Sequence, residues 1–233
     1  MRSIQTYAKV AGVLFLLTMV AGFFGEFYAP SHIIVSGDAA ATAKNIVAFN
    51  SLFRAGFASY LVEAVSDIAL SLVMYELLRP VRKDLALLAA FFGLVSTAVF
   101  AVAELFYFGA SLIVVGAGYL KSFSPDQLNA LGLLSLKMYG LGGGIFMVFY
   151  GLATLLRGYL IYRSDYLPKT LGALLALAGL GFIASNFLLV LAPAYASDVL
   201  LLPMFLAAVS MTVWLLVKGV DARKWEARAA SVV

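Results

Sequence analysis

The chain has 233 residues, 64% of them hydrophobic and only 12% charged, with a mean hydropathy of +1.01. Soluble domains carry about a quarter of their residues as charges, so this composition excludes one and predicts an all-α polytopic membrane protein, one domain over residues 1–233. With no cysteine there is no disulfide, thiolate nucleophile or Cys-ligated metal centre, and the net charge of +4 sits in short basic clusters at the ends of apolar runs, which marks topology and not nucleic-acid binding.

The first apolar run predicts a helix over 4–28, closing just before Pro30 with Glu26 at its far end. No small-x-small cleavage site follows, so the run reads as a membrane helix and not as a signal peptide. A lone histidine, His32, cannot build a multi-histidine metal site. Asp38 is the expected N-cap of a surface helix over 39–49, a connector lying on the membrane in preference to a lid.

The next span, 52–78, is capped by Ser51 and stopped by Pro80. It carries Glu63 and Asp67, four residues apart and therefore one turn above the other on one face. Ionised side chains at membrane depth cost at least a few kcal/mol, so these two should face a bundle interior or a water-filled cavity. The third helix, 84–120, contains one further acid, Glu104; at ~1.5 Å per residue it exceeds a ~30 Å bilayer core, and it either projects from the membrane or breaks around Gly116 and Gly118.

Ser124-Pro125-Asp126-Gln127 is a strong helix start, opening a fourth helix over 125–162. The glycines at 140 and 142–144 have no preceding strand and no G-x-G-x-x-G spacing, so a phosphate loop is a poor reading. With Gly151 and Gly158 they offer a smooth packing face, a kink being the second choice. The fifth helix, 171–191, presents Gly172, Ala176 and Gly179 as another small face and has Asn186 as its one strongly polar residue. A sixth, 199–217, precedes a basic amphipathic tail in which Trp225 is the expected interfacial anchor.

Six spans place both termini on one side. Twelve of the sixteen Lys and Arg, Arg2, Arg79, Arg82, Lys83 and Arg157 among them, fall at one set of helix ends; Lys44, Arg54, Lys121 and Lys137 fall at the other. By the positive-inside rule both termini are cytoplasmic. Counting from the inner ends brings Glu26, Arg54, Glu63, Asp67, Glu104, Lys137 and Asn186 towards the outer half of the bundle as candidate ligand or proton-site residues. Arg54 and Lys137 are the only positive charges expected near Glu26, Glu63, Asp67 and Glu104. At least one carboxyl is then protonated or a cation is bound, with Asp67 the least compensated. Tyr107, Tyr119, Tyr139 and Tyr150 read as packing or interface residues.

Six stretches together carry a family resemblance: LFLLTMVAG from Leu14, GDAAATAKNI from Gly37, FRAG from Phe53, YELLRPVRKDLALLAAFFGLV from Tyr75, FSPDQLNAL from Phe123 and GYLIYRSDYLPKTLGALLALAGLG from Gly158. In this order and spacing, over nearly the whole chain, they resemble the bacterial six-helix membrane family catalogued as domain of unknown function 4386. The resemblance implies a multi-pass protein of the bacterial cytoplasmic (inner) membrane and carries no activity over. It implies an acid at Asp67. The chain departs from the family pattern at Glu104, where an uncharged polar residue is usual, and at Tyr139, where histidine is frequent, so no metal site on that histidine is implied.

Three function classes are open. An outward-facing cavity that binds or moves a small or amphipathic ligand, proton-coupled through Glu63 and Asp67, stands beside an accessory subunit in which the same residues form a structural polar plug. An intramembrane enzyme using carboxyl acid and base ranks third, because no catalytic set such as Ser-His-Asp is present. No cofactor and no metal are expected; the partners are the lipid bilayer and a small-molecule or lipid ligand, with no nucleic acid.

Overall fold

The computed structural model describes residues 3–116, 118–195 and 202–231. Among them the chain forms helices, turns and connecting segments, with no strand. The expected start of the sixth helix at 199, and Arg2, lie outside the described residues.

The first helix, α1, runs over Ile4–Ile33 and does not close before Pro30 as its sequence suggests. Its turn Phe23–Tyr28 is π-helical, with the Ala29 N–H bonded to the Phe24 carbonyl five residues back. Proline normally breaks a helix because its ring meets the i−4 carbonyl and its nitrogen has no proton. The widened turn lets the chain continue through Pro30, and its cost is one carbonyl: the π register would pair residue 30 with Gly25, and Pro30 has nothing to donate.

Helix α2, Ala39–Ala48, starts as expected at Asp38, whose side chain accepts from the Ala41 N–H at 2.8 Å. Helix α3 spans Asn50–Leu78 and α4 Lys83–Val115, the latter ending at Gly116 with φ +75°, so the long third helix breaks where its glycines allow. Helix α5, Pro125–Arg163, opens on a reciprocal capping box: Ser124 N–H donates to Gln127 Oε1 at 2.8 Å, and Gln127 N–H to Ser124 Oγ at 3.3 Å. It is helical throughout its glycine run. Then come α6, Lys169–Leu191; α7, Leu202–Val217; and, after a turn at Gly219 with φ +70°, α8, Ala222–Ala230, capped by Asp221.

Four described helices are long and apolar enough to cross a membrane: α1, α4, α5 and α6. Pro203–Val217 and Ala222–Ala230, bent by 95°, make a fifth if the pair counts as one span. Helix α3 has 29 residues, but Arg54, Glu63, Asp67 and Glu76 dilute its apolar run. Large apolar side chains lie bare on these helices, such as Val65, Leu105 and Phe205, each at least 64% exposed. Lipid is the solvent that suits such a surface, and the protein is a membrane-spanning helical one.

The chain divides into two compact units. The first comprises Met1–Leu17, Ser66–Thr97 and Ile145–Val233; the second comprises Thr18–Val65 and Ala98–Gly144. In the first unit α5 and α6 meet backbone to backbone on their small faces: a Cβ at Gly179 would stand 2.6 Å from Leu155 N and 2.7 Å from Gly151 O. The Leu77 carbonyl, in the last turn of α3 and so without a helical partner, takes two donors, Tyr166 Oη at 2.8 Å and Trp225 Nε1 at 3.0 Å. Burial pushes the Tyr166 phenol up, which keeps it a donor. In the second unit Ser135 Oγ donates to the Phe106 carbonyl at 2.6 Å, and a Cβ at Gly142 would lie 2.6 Å from Ala103 Cβ.

Candidate functional site

The second unit gathers acids and tyrosines by simple helical spacing. On α3, Tyr60 and Glu63 are three residues apart, and on α4, Glu104 and Tyr107 are likewise; each pair shares a face. Helix α5 adds Tyr139, and the π turn of α1 adds Glu26. Tyr60 and Tyr107 are almost wholly enclosed, and Glu63 and Glu104 are only 8% and 4% exposed.

The hydrogen bonds have a direction. Tyr60 Oη donates to the Gly25 carbonyl at 2.6 Å, the very carbonyl that Pro30 leaves open. A phenol has one proton, so in the 2.6 Å contact between Tyr60 Oη and Tyr139 Oη it is Tyr139 that donates. Tyr107 reaches the Phe53 carbonyl only at 3.5 Å. The rings lock together: Phe53 stacks on Tyr107 at 4.3 Å, while Tyr107 meets Tyr60 and Tyr139 edge-on, each at 5.4 Å.

Two carboxyls are buried in the same unit. Glu63 lies against Gly22 of α1, where a Cβ would be 3.1 Å from its Oε1. Both oxygens of Glu104 are buried with no hydrogen-bond partner among the described residues. Glu104 is in electrostatic contact with Glu26, Tyr60, Tyr107 and Tyr139, so its surroundings add negative charge and aromatic rings.

The other sequence candidates are not among these contacts. Arg54 is exposed, its guanidinium 5.8 Å from the centre of the Phe108 ring, and Lys137 is exposed as well. Asp67 and Asn186 belong to the first unit. Asn186 spends its amide on its own helix, donating to the Phe182 carbonyl at 2.9 Å. Asp67 is buried, and Arg157, a base that the sequence places with the helix ends, is in electrostatic contact with it. Arg157 is itself no surface anchor: it is 5% exposed, with Nη2 donating to Ser71 Oγ at 3.1 Å. Gly93 makes this possible, since a Cβ there would stand 2.8 Å from Nη2. A cavity of about 30 Å³, room for a water or two, is lined in part by Arg157, Thr154 and Tyr150. Among the described residues no group of three or more His, Asp or Glu is placed to hold a metal ion.

A family model described as Domain of unknown function (DUF4386) matches residues 10–219, a stretch that contains every member of the cluster. The chain belongs to this family. A relative in Archaeoglobus fulgidus, described as an uncharacterized protein, is 27% identical over 157 residues, which is 66% of this chain and 78% of its own length. No solved structure matches the chain.

In this DUF4386 chain the tyrosines are the site members that local reading passes over. Tyr107 and Tyr139 read as packing residues because aromatic side chains are common in membrane helices. The usable signal is the repeated three-residue spacing of Tyr60 with Glu63 and of Glu104 with Tyr107, which sets a phenol beside a carboxyl on two helices. Nothing comparable announces Arg157, whose position six residues from Arg163 looks like one more basic helix end.

Proposed function

We propose that this DUF4386 protein spans the cytoplasmic membrane six times with both termini inside, and that its carboxylate–tyrosine cluster, facing outward, binds an amphipathic organic cation in exchange with protons. The observation that carries the reading is Glu104, two bare oxygens in a buried site shared with the second acid Glu26. An uncompensated charge in such surroundings costs several kcal/mol, so the site calls for a positive occupant.

The surroundings favour a particular kind of cation. The aromatic rings beside the acids suit a poorly hydrated organic cation, a ring face that the guest can reach contributing roughly 0.5–2 kcal/mol. A small metal ion would want several oxygen ligands at once, which the cluster does not gather. The π turn carrying Glu26 is the element whose change of register admits the guest, since such turns are local insertions in an α-helix. The close packing of Tyr60 and Tyr107 favours the competing reading, a structural polar plug.

Binding of tetraphenylphosphonium to the purified protein in nanodiscs separates the two. Saturable binding that weakens as pH falls, and that Glu104→Gln abolishes while helicity and elution volume hold, is the expected result. Wild-type protein that binds none of the probe at any pH leaves the plug.

A further inference from the structure

A second site lies in the first unit, where the ends of its helices gather. Trp225 of α8 reaches the Leu77 carbonyl at the end of α3, and Arg228 of α8 reaches the Arg163 carbonyl at the end of α5, at 3.0 and 3.2 Å. Between α8 and the turn after α3 is a cleft of about 440 Å³, lined by Pro80, Val81, Asp165, Lys224, Arg228 and Ser231. We infer that this cleft holds the phosphate headgroup of an anionic lipid.

Charge makes the first part of the case. The two cations that line the cleft are held loosely by carboxylates, Lys224 by Asp221 at 3.8 Å and Arg228 by Asp165 at 3.5 Å. The same end also has tighter pairs, Arg79 with Glu76 at 3.0 Å and Arg82 with Asp84 at 3.1 Å, neither of which lines the cleft. Exposed pairs as long as the first two contribute little and exchange readily for a better anion. Lys83, Arg163, Lys169 and Arg223 are exposed nearby in sequence, in no ion pair among the described residues, so the surplus at this end is positive. Two cations lining one cleft suit a tetrahedral phosphate, which a guanidinium can bind through two parallel bonds.

Geometry selects a lipid over free phosphate. The 95° bend between α7 and α8 means that if α7 crosses the bilayer, α8 lies along its surface, at the depth of the headgroups. Ala222 and Trp225 pack on the core from one side of α8, leaving Arg223 and Lys224 exposed. Bare apolar groups adjoin the same helix ends, Val217 at 71% exposed and Tyr162 at 49%, where acyl chains would run. Free phosphate has no use for that apolar margin.

The test is the melting temperature of the full-length protein in detergent on adding phosphatidylglycerol, phosphatidylcholine or inorganic phosphate, with native mass spectrometry reading the lipid adduct. Phosphatidylglycerol alone should raise it, by about 2–4 °C at saturation. Lys224→Gln with Arg228→Gln should lose most of that shift and the adduct, while Lys44→Gln, an exposed cation of the second unit, keeps both. Should the double variant fold poorly, Lys224→Gln alone, at an exposed side chain, should still halve the adduct. Equal shifts with phosphatidylcholine, equal shifts with inorganic phosphate, or variants that bind phosphatidylglycerol like the wild type would each overturn the assignment.

Discussion

Pro30 and Tyr60 are coupled through a single carbonyl, and a double-mutant cycle measures the coupling. Tyr60→Phe removes the donor 2.6 Å from the Gly25 carbonyl and also the acceptor of the Tyr139 hydroxyl, so two buried polar groups lose their partners. Each orphaned group costs roughly 1–3 kcal/mol in soluble proteins, and interhelical bonds within membranes fall at the lower end of that range, so the loss should be about 2–4 kcal/mol. Pro30→Ala supplies an N–H at residue 30, which pairs with Gly25 in the π register or lets the turn relax to α. On that background the Gly25 share of the cost disappears, and Tyr60→Phe should cost only about 1–2 kcal/mol. Equilibrium unfolding of the four proteins in mixed micelles, by far-UV dichroism against added SDS, gives the coupling energy as the difference. Additivity within about 0.5 kcal/mol would refute the argument that proline creates the vacancy that tyrosine fills.

The environment of Asp67 yields a second prediction. Burial of the Asp67 carboxyl outweighs its contact with Arg157, so Asp67→Asn should leave stability at pH 7 unchanged or raise it. A loss of more than about 1 kcal/mol in the same unfolding assay would show that Arg157 depends on the carboxylate. For topology, single cysteines placed at Lys121 and Lys83 should react with a membrane-impermeant maleimide on intact cells only at Lys121, and the reverse pattern would invert the orientation.

What could be read from the residues alone was what depends on near neighbours. The helix start at Ser124-Pro125, the cap at Asp38 and the small faces of Gly151, Gly158, Gly172 and Gly179 are all decided within a turn or two of chain and form as expected, and of the two fates open to the long third helix the break at Gly116 is the one taken. The membrane character and the burial of Glu63, Asp67 and Glu104 follow from the cost of exposing charge to lipid. The misses are long-range. Pro30 fails to stop α1 because a tyrosine 30 residues later satisfies the carbonyl it strands, and no local rule contains that tyrosine. Arg157 is buried because Ser71, Asp67 and Gly93, on two other helices, provide an acceptor, a charge and room. Positive-inside counting sees only its neighbours in sequence, so it placed Arg157 with the interfacial bases.

The way the two units alternate along the chain bears on how the protein is made. The second unit draws on Thr18–Val65 and Ala98–Gly144, so all of it has been synthesised once residue 144 leaves the ribosome. The first unit must wait for Ile145–Val233, and its earliest piece is held by its latest: Gln5 accepts from the Val220 N–H at 3.1 Å and donates to the Lys218 carbonyl at 3.4 Å. During biogenesis all the residues of the carboxylate–tyrosine cluster are therefore made before the segment that holds Gln5, at the start of α1, has emerged. A nascent chain arrested after residue 144 would hold the second unit complete and the first unit still open at the place where Gln5 meets the turn at Gly219.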